Sequence, residues 1–371
     1  MAAILPDALS TVTTALGKAT TALKDPHKSW VGWEEAEEKV DDEEVKIDKL
    51  IEVTGRMQAR NQAALGKVHR VTHVKSLAFV KGKLAVKPDL PSYLRHGLFS
   101  SPKTYDVAAR YANEPVHAVP DTEKCPRGLG LKVFGVEGTE HGTHDLLFNN
   151  APMLELTDLD TCLEIMSLRE KYWDDPERLK EEYKKRDDAT KQLAPTKLPD
   201  TPIIGMTMYS QSAFRYGPYI ARFSLAPTHP SQLTLSNKTQ LSSSAAPDEH
   251  IKHLQSHFTS NPATYTLRAQ FSSSLSAQPV EDASVVWSEI TAPWFDLAEL
   301  TFEPQETFSS ARKEWWEDRI ALSPFGGLEE HRPLGSINRL RERVYEASRK
   351  RRAEGNRKEV YFPKSIVEMP N

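Results

Sequence analysis

The feature that most constrains the fold is a series of short apolar or alternating segments, which begins at residue 68. Successive side chains of a β-strand point to opposite faces, so alternation of apolar and polar residues predicts strands. Clusters of proline and glycine separate the segments and are typical of turns. The predicted strands are residues 68–86 (one or two strands), 107–111, 130–136, 146–148, 203–209, 219–225, 264–271, 284–287 and 297–302.

Helical patterns precede, interrupt and follow this series. Residues 43–62 carry an apolar stripe at helical spacing, after an acidic stretch that is typical of a solvated helix face. Residues 159–192 predict a long charged helical excursion from the sheet, interrupted at Pro176, and helices resume from Ser309. Strands, a helical insertion, more strands and closing helices predict an α+β protein built on an antiparallel sheet or barrel.

The domain organisation follows from the same patterns. We find no internal repeat, and we predict an N-terminal helical arm at residues 1–58 followed by one domain at residues 59–371. That domain contains the helical insertion at about residues 160–195 and closing helices at about residues 309–355. The Ser/Thr-rich residues 231–247 predict a surface loop.

Composition narrows the function classes. A net charge of −4 gives no reason to expect a nucleic acid or an anionic membrane as partner. Two cysteines cannot make a disulfide framework, which suits a reducing compartment. No apolar run is long enough to span a bilayer, and the first residues lack the pattern of a secretory signal. We therefore expect a cytoplasmic protein with no nucleic-acid partner and no stable membrane span.

A predicted helix near the end of the chain carries an unusual pair of side chains. Arg341 and Tyr345 are four residues apart and therefore share one face of that helix. A guanidinium group beside a phenol stabilises the phenolate, whose best-known use in proteins is as a ligand of haem iron. On spacing alone, an amphipathic helix with Tyr345 packed against the core is the simpler interpretation.

Polar residues also interrupt the predicted strands. The run Arg70-Val71-Thr72-His73 is predicted to lie on a strand, with Arg70 and Thr72 on one face and His73 on the other. A histidine on an inward face is most often a hydrogen-bonded core residue, and a catalytic acid–base group is the alternative.

Two further signals concern buried polar groups. Arg110 and Arg127 lie in apolar strands, and a buried arginine needs an anionic partner, which is either a protein carboxylate or a ligand carboxylate. Asn149 and Asn150 follow an apolar strand and precede Pro152, which ordinarily indicates a turn.

Taken in order, these motifs resemble the haem catalases over about residues 60–355. The similar motifs are Arg-Val-x-His (70–73), Arg-aromatic-small (110–112), Pro-Arg-Gly (126–128), Asp-Leu-x-x-Asn-Asn-x-Pro (145–152) and Arg-x-x-x-Tyr (341–345). Residues 209–219, 280–287 and 331–339 resemble a compact catalase-related branch, which includes small peroxidases and allene oxide synthases. The resemblance implies a catalase-like antiparallel β-barrel with flanking α-helices.

The resemblance also implies a cofactor and its binding residues. Tyr345 would be the axial ligand of the iron of haem b, and Arg341 would keep its phenol ionised. Arg70, Arg110 and Arg352 would lie near the haem propionates and pair with them.

On the opposite face of the haem, the resemblance implies catalytic roles for three residues. His73 would be the distal acid–base residue, which moves a proton between the two peroxide oxygens. Asn149 would hydrogen-bond the peroxide, and Thr72 would lie beside the imidazole ring. The substrate would be hydrogen peroxide or an organic hydroperoxide.

Departures from the catalase pattern favour particular reactions. Thr72 replaces a valine, as it does in allene oxide synthases, and Ala112 replaces a serine. Leu154 and Glu155 replace a pair of phenylalanines, and Cys162 replaces another. These changes predict an altered, roomier distal pocket and poor disproportionation of hydrogen peroxide.

We therefore predict a haem-dependent peroxidase or peroxygenase that acts on organic, lipid-like hydroperoxides. One alternative is a hydroperoxide isomerase or dehydratase of the allene oxide synthase type, which Thr72 favours. A second alternative is a non-enzymatic haem-binding protein, which His73 and Asn149 argue against. The oligomeric state is left open, a homo-oligomer included.

Overall fold

The computed structural model describes residues 26–236, 241 and 244–371. The first 25 residues of the predicted arm lie outside the described residues, as do residues 237–240 and 242–243 of the predicted loop. Among the described residues, no helix is both long enough and apolar enough to cross a membrane.

A closed antiparallel barrel forms the centre of the structure. Its strands are β1 (Ser76–Val86), β2 (Thr104–Asn113), β3 (Arg127–Phe134), β4 (Thr143–Asn149), β5 (Met208–Tyr209), β6 (Phe214–Tyr216), β7 (Tyr219–Pro227), β8 (Ala263–Phe271) and β9 (Trp294–Phe302). Neighbours pair in the order β5-β4-β3-β2-β1-β9-β8-β7, and pairing of β5 with β7 closes this ring of eight strands. Strand β6 forms a hairpin with β7. The predicted α+β fold with an antiparallel barrel is confirmed.

Side-chain alternation divides each strand between the barrel interior and its outer face. In β2, Val107, Ala109 and Tyr111 belong to the apolar core inside the barrel. The hydroxyl of Tyr111 hydrogen-bonds there with the hydroxyl of Tyr265, 3.1 Å away. Arg110 lies between two of these inward residues, so its side chain leaves the strand on the outer face.

The register of β2, β3 and β4 aligns three small or polar residues on that outer face. Ala112 pairs with Gly128, and Gly128 pairs in turn with Asn149. One row of the barrel wall therefore carries little side-chain volume, which leaves space between the wall and the helices outside it.

Helices flank the barrel. The helices are α1 (Glu43–Leu65), α2 (Leu159–Lys171), α3 (Pro176–Lys184), α4 (Ala189–Leu193), α5 (Pro230–Ser236), α6 (Glu249–Ser260), α7 (Ser310–Glu314) and α8 (Ser336–Asn356). A π-helical turn, Trp315–Arg319, follows α7. Helices α1, α2 and α8 bury a shared apolar cluster that includes Leu50, Met57, Met166 and Leu340. Burial of apolar surface is the main term that holds these helices in place.

The predicted helical insertion is confirmed as α2, α3 and α4. The carboxylate of Asp158 caps α2 by accepting a hydrogen bond from the N–H of Thr161, at 2.8 Å. Asp175 caps α3 in the same way, and Pro176 is the first residue of α3, where a missing N–H costs no hydrogen bond. The interruption at Pro176 is therefore the start of a new helix.

Several predicted elements are wrong. Residues 68–75 are irregular, and the first strand begins only at Ser76. Residues 285–287 are irregular and follow a turn at residues 283–284, where the carboxylate of Asp282 accepts hydrogen bonds from the N–H and the hydroxyl of Ser284. In residues 203–209 only β5 is a strand, and the predicted loop at 231–247 begins as α5. In the first two cases, polar groups that periodicity ignores fix the backbone locally.

The predicted division between an arm and a domain falls inside α1, because this helix runs through residue 58. Helix α1 also packs against α8 through the shared apolar cluster. The division at residues 1–58 and 59–371 stays a prediction.

Candidate active site

A cavity lies between the outer face of β2, β3 and β4 and the helices α1, α2 and α8. It contains about 1540 Å³ of atom-free space, its opening included. All eight residues that the sequence predicted for the site line this cavity. They are Arg70, Thr72, His73, Arg110, Asn149, Arg341, Tyr345 and Arg352.

Tyr345 and Arg341 contact each other on the cavity side of α8. Nη2 of Arg341 donates a hydrogen bond to the phenol oxygen of Tyr345 at 3.0 Å. Nη1 of the same guanidinium donates to Oδ1 of Asn338 at 3.0 Å, and Asn338 donates to the carbonyl of Leu334 at 2.7 Å. Asn338, one helical turn before Arg341, therefore fixes the position of the Arg341–Tyr345 pair. The sequence did not reveal this role of Asn338.

Three arginines line another part of the wall, and main-chain carbonyls satisfy much of their hydrogen bonding. Arg70 donates to the carbonyl of Trp316 at 2.7 Å. Arg352 donates to the carbonyls of Glu317 at 2.9 Å and Ile320 at 3.1 Å. Carbonyl partners satisfy the donors but supply no negative charge.

Arg110 completes this group, which we call the arginine cluster (Arg70, Arg110 and Arg352). It donates to the carbonyl of His73 and, at 3.0 Å, to the hydroxyl of Ser76. Within the part of the chain that the structure describes, no carboxylate lies within 4 Å of the guanidinium nitrogens of the cluster.

The cluster carries excess positive charge. Burial lowers the pKa of Arg70 to about 10. Burial, with repulsion from Arg70, lowers the pKa of Arg110 to about 9. The pKa of Arg352 is also lowered, by burial first and then by the other two guanidinium groups. A dianionic ligand next to these groups would relieve the repulsion and stabilise all three.

His73 does not lie on a strand, as the sequence predicted, but in the loop before β1. Its φ is 55°, a left-handed conformation that costs a non-glycine residue on the order of 1 kcal/mol. Its N–H donates to the carbonyl of Glu114 at 2.7 Å, and its own carbonyl accepts from Arg110. These bonds hold the strained backbone and direct the imidazole over Gly128, where a Cβ would overlap the ring.

The imidazole of His73 is held neutral. Burial and, to a smaller extent, the positive charges of Arg110, Arg341 and Arg70 together lower its pKa to about 3. A neutral imidazole can accept a proton but cannot remain protonated for long in this position. Thr72 lines the cavity beside it.

Asn149 ends β4 and points its amide into the cavity. Its Nδ2 donates to the side-chain carboxylate of Glu114, and its Oδ1 accepts from the N–H of Ala151 at 3.3 Å. The neighbouring Asn150 instead accepts a hydrogen bond from the N–H of Arg127 at 2.8 Å, which is the structural role expected of a turn residue. The guanidinium of Arg127 pairs with the carboxylate of Asp200 at 2.9 Å, so its anionic partner is a protein group.

Three charged residues of the cavity wall, Glu114, Arg169 and Arg349, were missed by sequence reasoning. Glu114 follows β2, and Arg169 projects from α2 in the helical insertion. Burial and, after it, the negative charge of Glu155 together raise the pKa of Glu114 to about 7. Arg169 donates to Oε1 of Glu155 at 2.9 Å and to the hydroxyl of Tyr183 at 3.1 Å. The sequence signal that could have pointed to Arg169 is the carboxylate at position 155, where the catalase pattern has phenylalanine.

The other departures from the catalase pattern fall in two places. Ala112, Leu154 and Cys162 line the cavity, so the smaller side chains there do border the space. Glu155 is buried behind the wall, paired with Arg169.

The histidines at 141 and 144 do not form a metal site. Nδ1 of His144 accepts from the N–H of Leu328 at 3.1 Å, and His141 stacks on Phe362 with ring centroids 3.8 Å apart. Among the described residues, no group of three or more His, Cys, Asp or Glu side chains could hold a metal ion.

Solved catalase structures resemble this protein. A fungal catalase matches with a TM-score of 0.57 and 16% identity, over 77% of this chain and 59% of that one. Catalase A from Saccharomyces cerevisiae matches with a TM-score of 0.57 and 16% identity, over 77% and 61%. A bacterial catalase matches with a TM-score of 0.55 and 16% identity, over 87% and 63%. No protein-family model and no curated protein sequence matches the chain.

The matches span only 59–63% of the length of these catalases, which are longer proteins. They cover the greater part of this chain, and each has a TM-score of at least 0.55. At 16% identity such likeness establishes a shared fold alone. The eight-stranded antiparallel barrel with its flanking helices therefore has the catalase fold.

Proposed function

We propose that the protein is a haem b-dependent peroxidase or peroxygenase that acts on organic hydroperoxides. The observation that carries the proposal is the convergence on one cavity of the Tyr345–Arg341 pair, the arginine cluster and His73. Each of these could have a structural role alone, but together they match the needs of one ligand. That ligand would have an oxygen-liganded metal centre and anionic side groups.

The residues present fit haem. The phenol of Tyr345 would be the axial ligand, and the positive charge of Arg341 would stabilise the phenolate. The arginine cluster, which lacks carboxylate partners among the described residues, would pair with the propionates. When bound, haem iron supplies the electrons that break the O–O bond of a peroxide.

The distal residues would handle the proton and the orientation of the peroxide. His73 is neutral, so it could take the proton from one peroxide oxygen and return it to the other. Because the protonated imidazole is unfavourable at this buried position, transfer of the proton from His73 to the second oxygen would be favoured. Asn149, held by Glu114, would hydrogen-bond the peroxide and orient it.

Apolar side chains on the distal part of the wall support an organic substrate. Val71, Leu154, Leu156 and Met166 line the cavity beside Cys162. Such a surface would bind an alkyl group through burial of apolar area, which hydrogen peroxide cannot offer.

A second candidate is a hydroperoxide isomerase or dehydratase of the allene oxide synthase type. Thr72, the residue that allene oxide synthases share at this position, lines the cavity beside the imidazole of His73. Its hydroxyl could hydrogen-bond a substrate oxygen and favour rearrangement of the substrate over oxidation of a second molecule.

Haem uptake tests the first part of the proposal. Purified protein would be incubated with haemin, freed of excess cofactor and measured by absorbance. We expect a Soret band and a high-spin ferric tyrosinate spectrum, which Tyr345→Phe abolishes. Tyr172→Phe is the control, because its phenol pairs with Arg178 outside the cavity. A colourless protein, or an unchanged spectrum in Tyr345→Phe, would overturn the proposal.

Turnover separates the two candidates. The haem-loaded protein would be mixed with hydrogen peroxide and, separately, with a fatty-acid hydroperoxide, with and without a reducing co-substrate. A peroxidase oxidises the co-substrate, whereas an isomerase consumes the hydroperoxide without it. Vigorous oxygen release from hydrogen peroxide would contradict both candidates and indicate catalase activity.

A further inference from the structure

The distal end of the cavity carries an acidic group, Glu114, that the proposed function uses only to hold Asn149. We propose that Glu114, backed by the Glu155–Arg169 pair, forms a subsite that accepts a hydroxyl or ammonium group of the substrate and rejects anions. The inference rests on the proposed function, because the subsite would select what lies next to the haem. The inference narrows the substrate class to organic hydroperoxides that carry a hydrogen-bond donor or a cation near the reacting end.

The backbone holds Glu114 in place from two sides. Its N–H donates to the carbonyl of Pro126 at 3.0 Å, and its carbonyl accepts from the N–H of His73 at 2.7 Å. The side chain retains some exposed surface and lines the cavity. Its carboxylate is therefore presented to a ligand by a rigid support.

One oxygen of the carboxylate remains available. Oε2 of Glu114 accepts the hydrogen bond from Asn149. In the described part of the chain, Oε1 accepts no hydrogen bond from a protein group. An ionised carboxylate accepts several hydrogen bonds, so a donor on the substrate would satisfy a group that the protein leaves open.

The charges around Glu114 favour donors and cations over anions. The charged side chains that act on its carboxylate are those of Glu155 and Arg169. Asn149 is its neutral hydrogen-bond partner, and the thiol of Cys125, whose pKa burial raises to about 12, is near enough to sense its charge. The guanidinium of Arg169 is engaged by the carboxylate of Glu155 at 2.9 Å and by the hydroxyl of Tyr183. Two carboxyl groups share one cation, so an anion brought here would meet net negative charge whenever Glu114 is ionised.

The cavity is thus charged oppositely at its two ends. Arg110 lies on β2, Glu114 directly follows the end of this strand, and both side chains line the cavity. An extended chain rises about 3.3 Å per residue, so roughly 13 Å separates the Cα atoms of these two residues. Bound haem would place its anionic propionates at the arginine cluster, and the substrate would place its hydrogen-bond donor at Glu114. The two ligands together would therefore have one preferred orientation in the cavity.

Ligand titrations of the haem-loaded protein test the subsite. Azide, an anion, would be titrated at pH 5.5 and pH 8, and imidazole, which is mostly neutral at pH 8, would be titrated at pH 8 alone; both would be followed by the Soret shift. We expect Glu114→Gln to bind azide about tenfold more tightly than the parent protein at pH 8, because one negative charge is lost. At pH 5.5 the difference should vanish, since Glu114 is then protonated. Imidazole affinity should change by less than about twofold.

The control variant is Glu164→Gln. Glu164 lies on the same helix as Arg169, but its carboxylate is 61% exposed and pairs with Arg186, away from the cavity lining. It should bind azide like the parent protein at both pH values. Equal azide affinity in Glu114→Gln and the parent protein at pH 8 would overturn the inference while leaving haem binding intact.

A second measurement keeps the inference testable without haem. Carboxyl signals of ¹³C-labelled glutamates would be followed by NMR in the haem-free protein from pH 4 to pH 9. We expect one signal to titrate near pH 7 and to be missing in Glu114→Gln. Absence of a Soret band in the haemin-treated protein would defeat the proposed function, whereas a Glu114 signal that stays protonated up to pH 9 would defeat the inference, because the subsite would then carry no negative charge.

Discussion

The phenol oxygen of Tyr345 lies 3.0 Å from Nη2 of Arg341, one helical turn earlier on α8. The guanidinium is held from its other side by Asn338, so its position does not depend on the tyrosine alone. Phe325 meets the phenol ring edge-on, with centroids 5.8 Å apart. The phenol is therefore oriented before any ligand binds, which lowers the entropy cost of using it as one.

Arg341→Met should weaken haem binding without unfolding the protein. The variant removes the positive charge that would stabilise the phenolate, so the tyrosine becomes a poorer ligand. We expect haem to dissociate about tenfold faster in a transfer assay to an apo-globin, which corresponds to roughly 1.4 kcal/mol. Arg343→Met is the control, because Arg343 lies on the same helix but pairs with Glu44 at the surface. Equal dissociation rates in the two variants would contradict a role for Arg341.

Arg352→Met should reduce the stabilisation that haem gives the protein. The guanidinium belongs to the arginine cluster, so its removal takes away one of the cations expected to pair with the propionates. The haem-free variant loses hydrogen bonds to two carbonyls, a cost of about 1–3 kcal/mol. The haem-induced rise in Tm, measured by calorimetry, should be smaller than in the exposed control Lys350→Met. An equal rise in both variants would mean that the cluster does not bind the ligand.

Sequence reasoning identified the barrel and the positions of the candidate site because both depend on local patterns. Alternation marked β2, β3, β4, β7, β8 and β9, and helical spacing joined Arg341 to Tyr345. The ordered motifs then selected eight residues that the fold brings to one cavity. The pattern within one segment carries no information about distant neighbours, so it could not show that residues 70 and 352 lie side by side in the fold.

The failures have a physical cause in long-range polar contacts. Residues 70–73 alternate like a strand, but the bonds of His73 with Glu114 and Arg110 hold it in a left-handed conformation instead. Those partners are 37 and more residues away, so no local rule could include them. Glu114 escaped notice for the same reason, because only the fold sets its carboxylate against Asn149.

Gly128→Ala should impair the site while leaving the barrel folded. A Cβ at this position would overlap the imidazole of His73, whose strained backbone leaves it little room to move. We expect the rate of reaction with a hydroperoxide to fall at least about tenfold, because small displacements of a positioned acid–base group are costly. Gly130→Ala is the matched control two residues along the same face, where a Cβ would overlap the flexible end of Leu322 and make an ordinary contact with Leu147. Similar rates in the two variants would show that His73 is not positioned by Gly128.

Glu114→Gln should make the haem-free protein more stable at high pH and leave it nearly unchanged at low pH. Folding raises the pKa of this carboxyl from its ordinary 4.5 to about 7, so the folded state binds the proton more tightly than the unfolded state does. The stabilisation from the protonated carboxyl is fully present below pH 4.5 and is lost as pH rises through 7. Glutamine can still accept the hydrogen bond from Asn149, but it never ionises.

The difference in free energy of unfolding between Glu114→Gln and the parent protein should therefore grow between pH 4.5 and pH 8. The rise in the pKa of Glu114 corresponds to a difference of up to about 3 kcal/mol in the free energy of unfolding. Urea unfolding at each pH would measure this difference. Glu155→Gln offers an independent check, because removal of its charge should move the transition of Glu114 to lower pH. A difference that stays constant with pH would mean that Glu114 titrates in the folded protein as it does in the unfolded chain. The carboxyl would then be ionised throughout the physiological range, and the distal end of the cavity would reject anions at every pH at which the protein works.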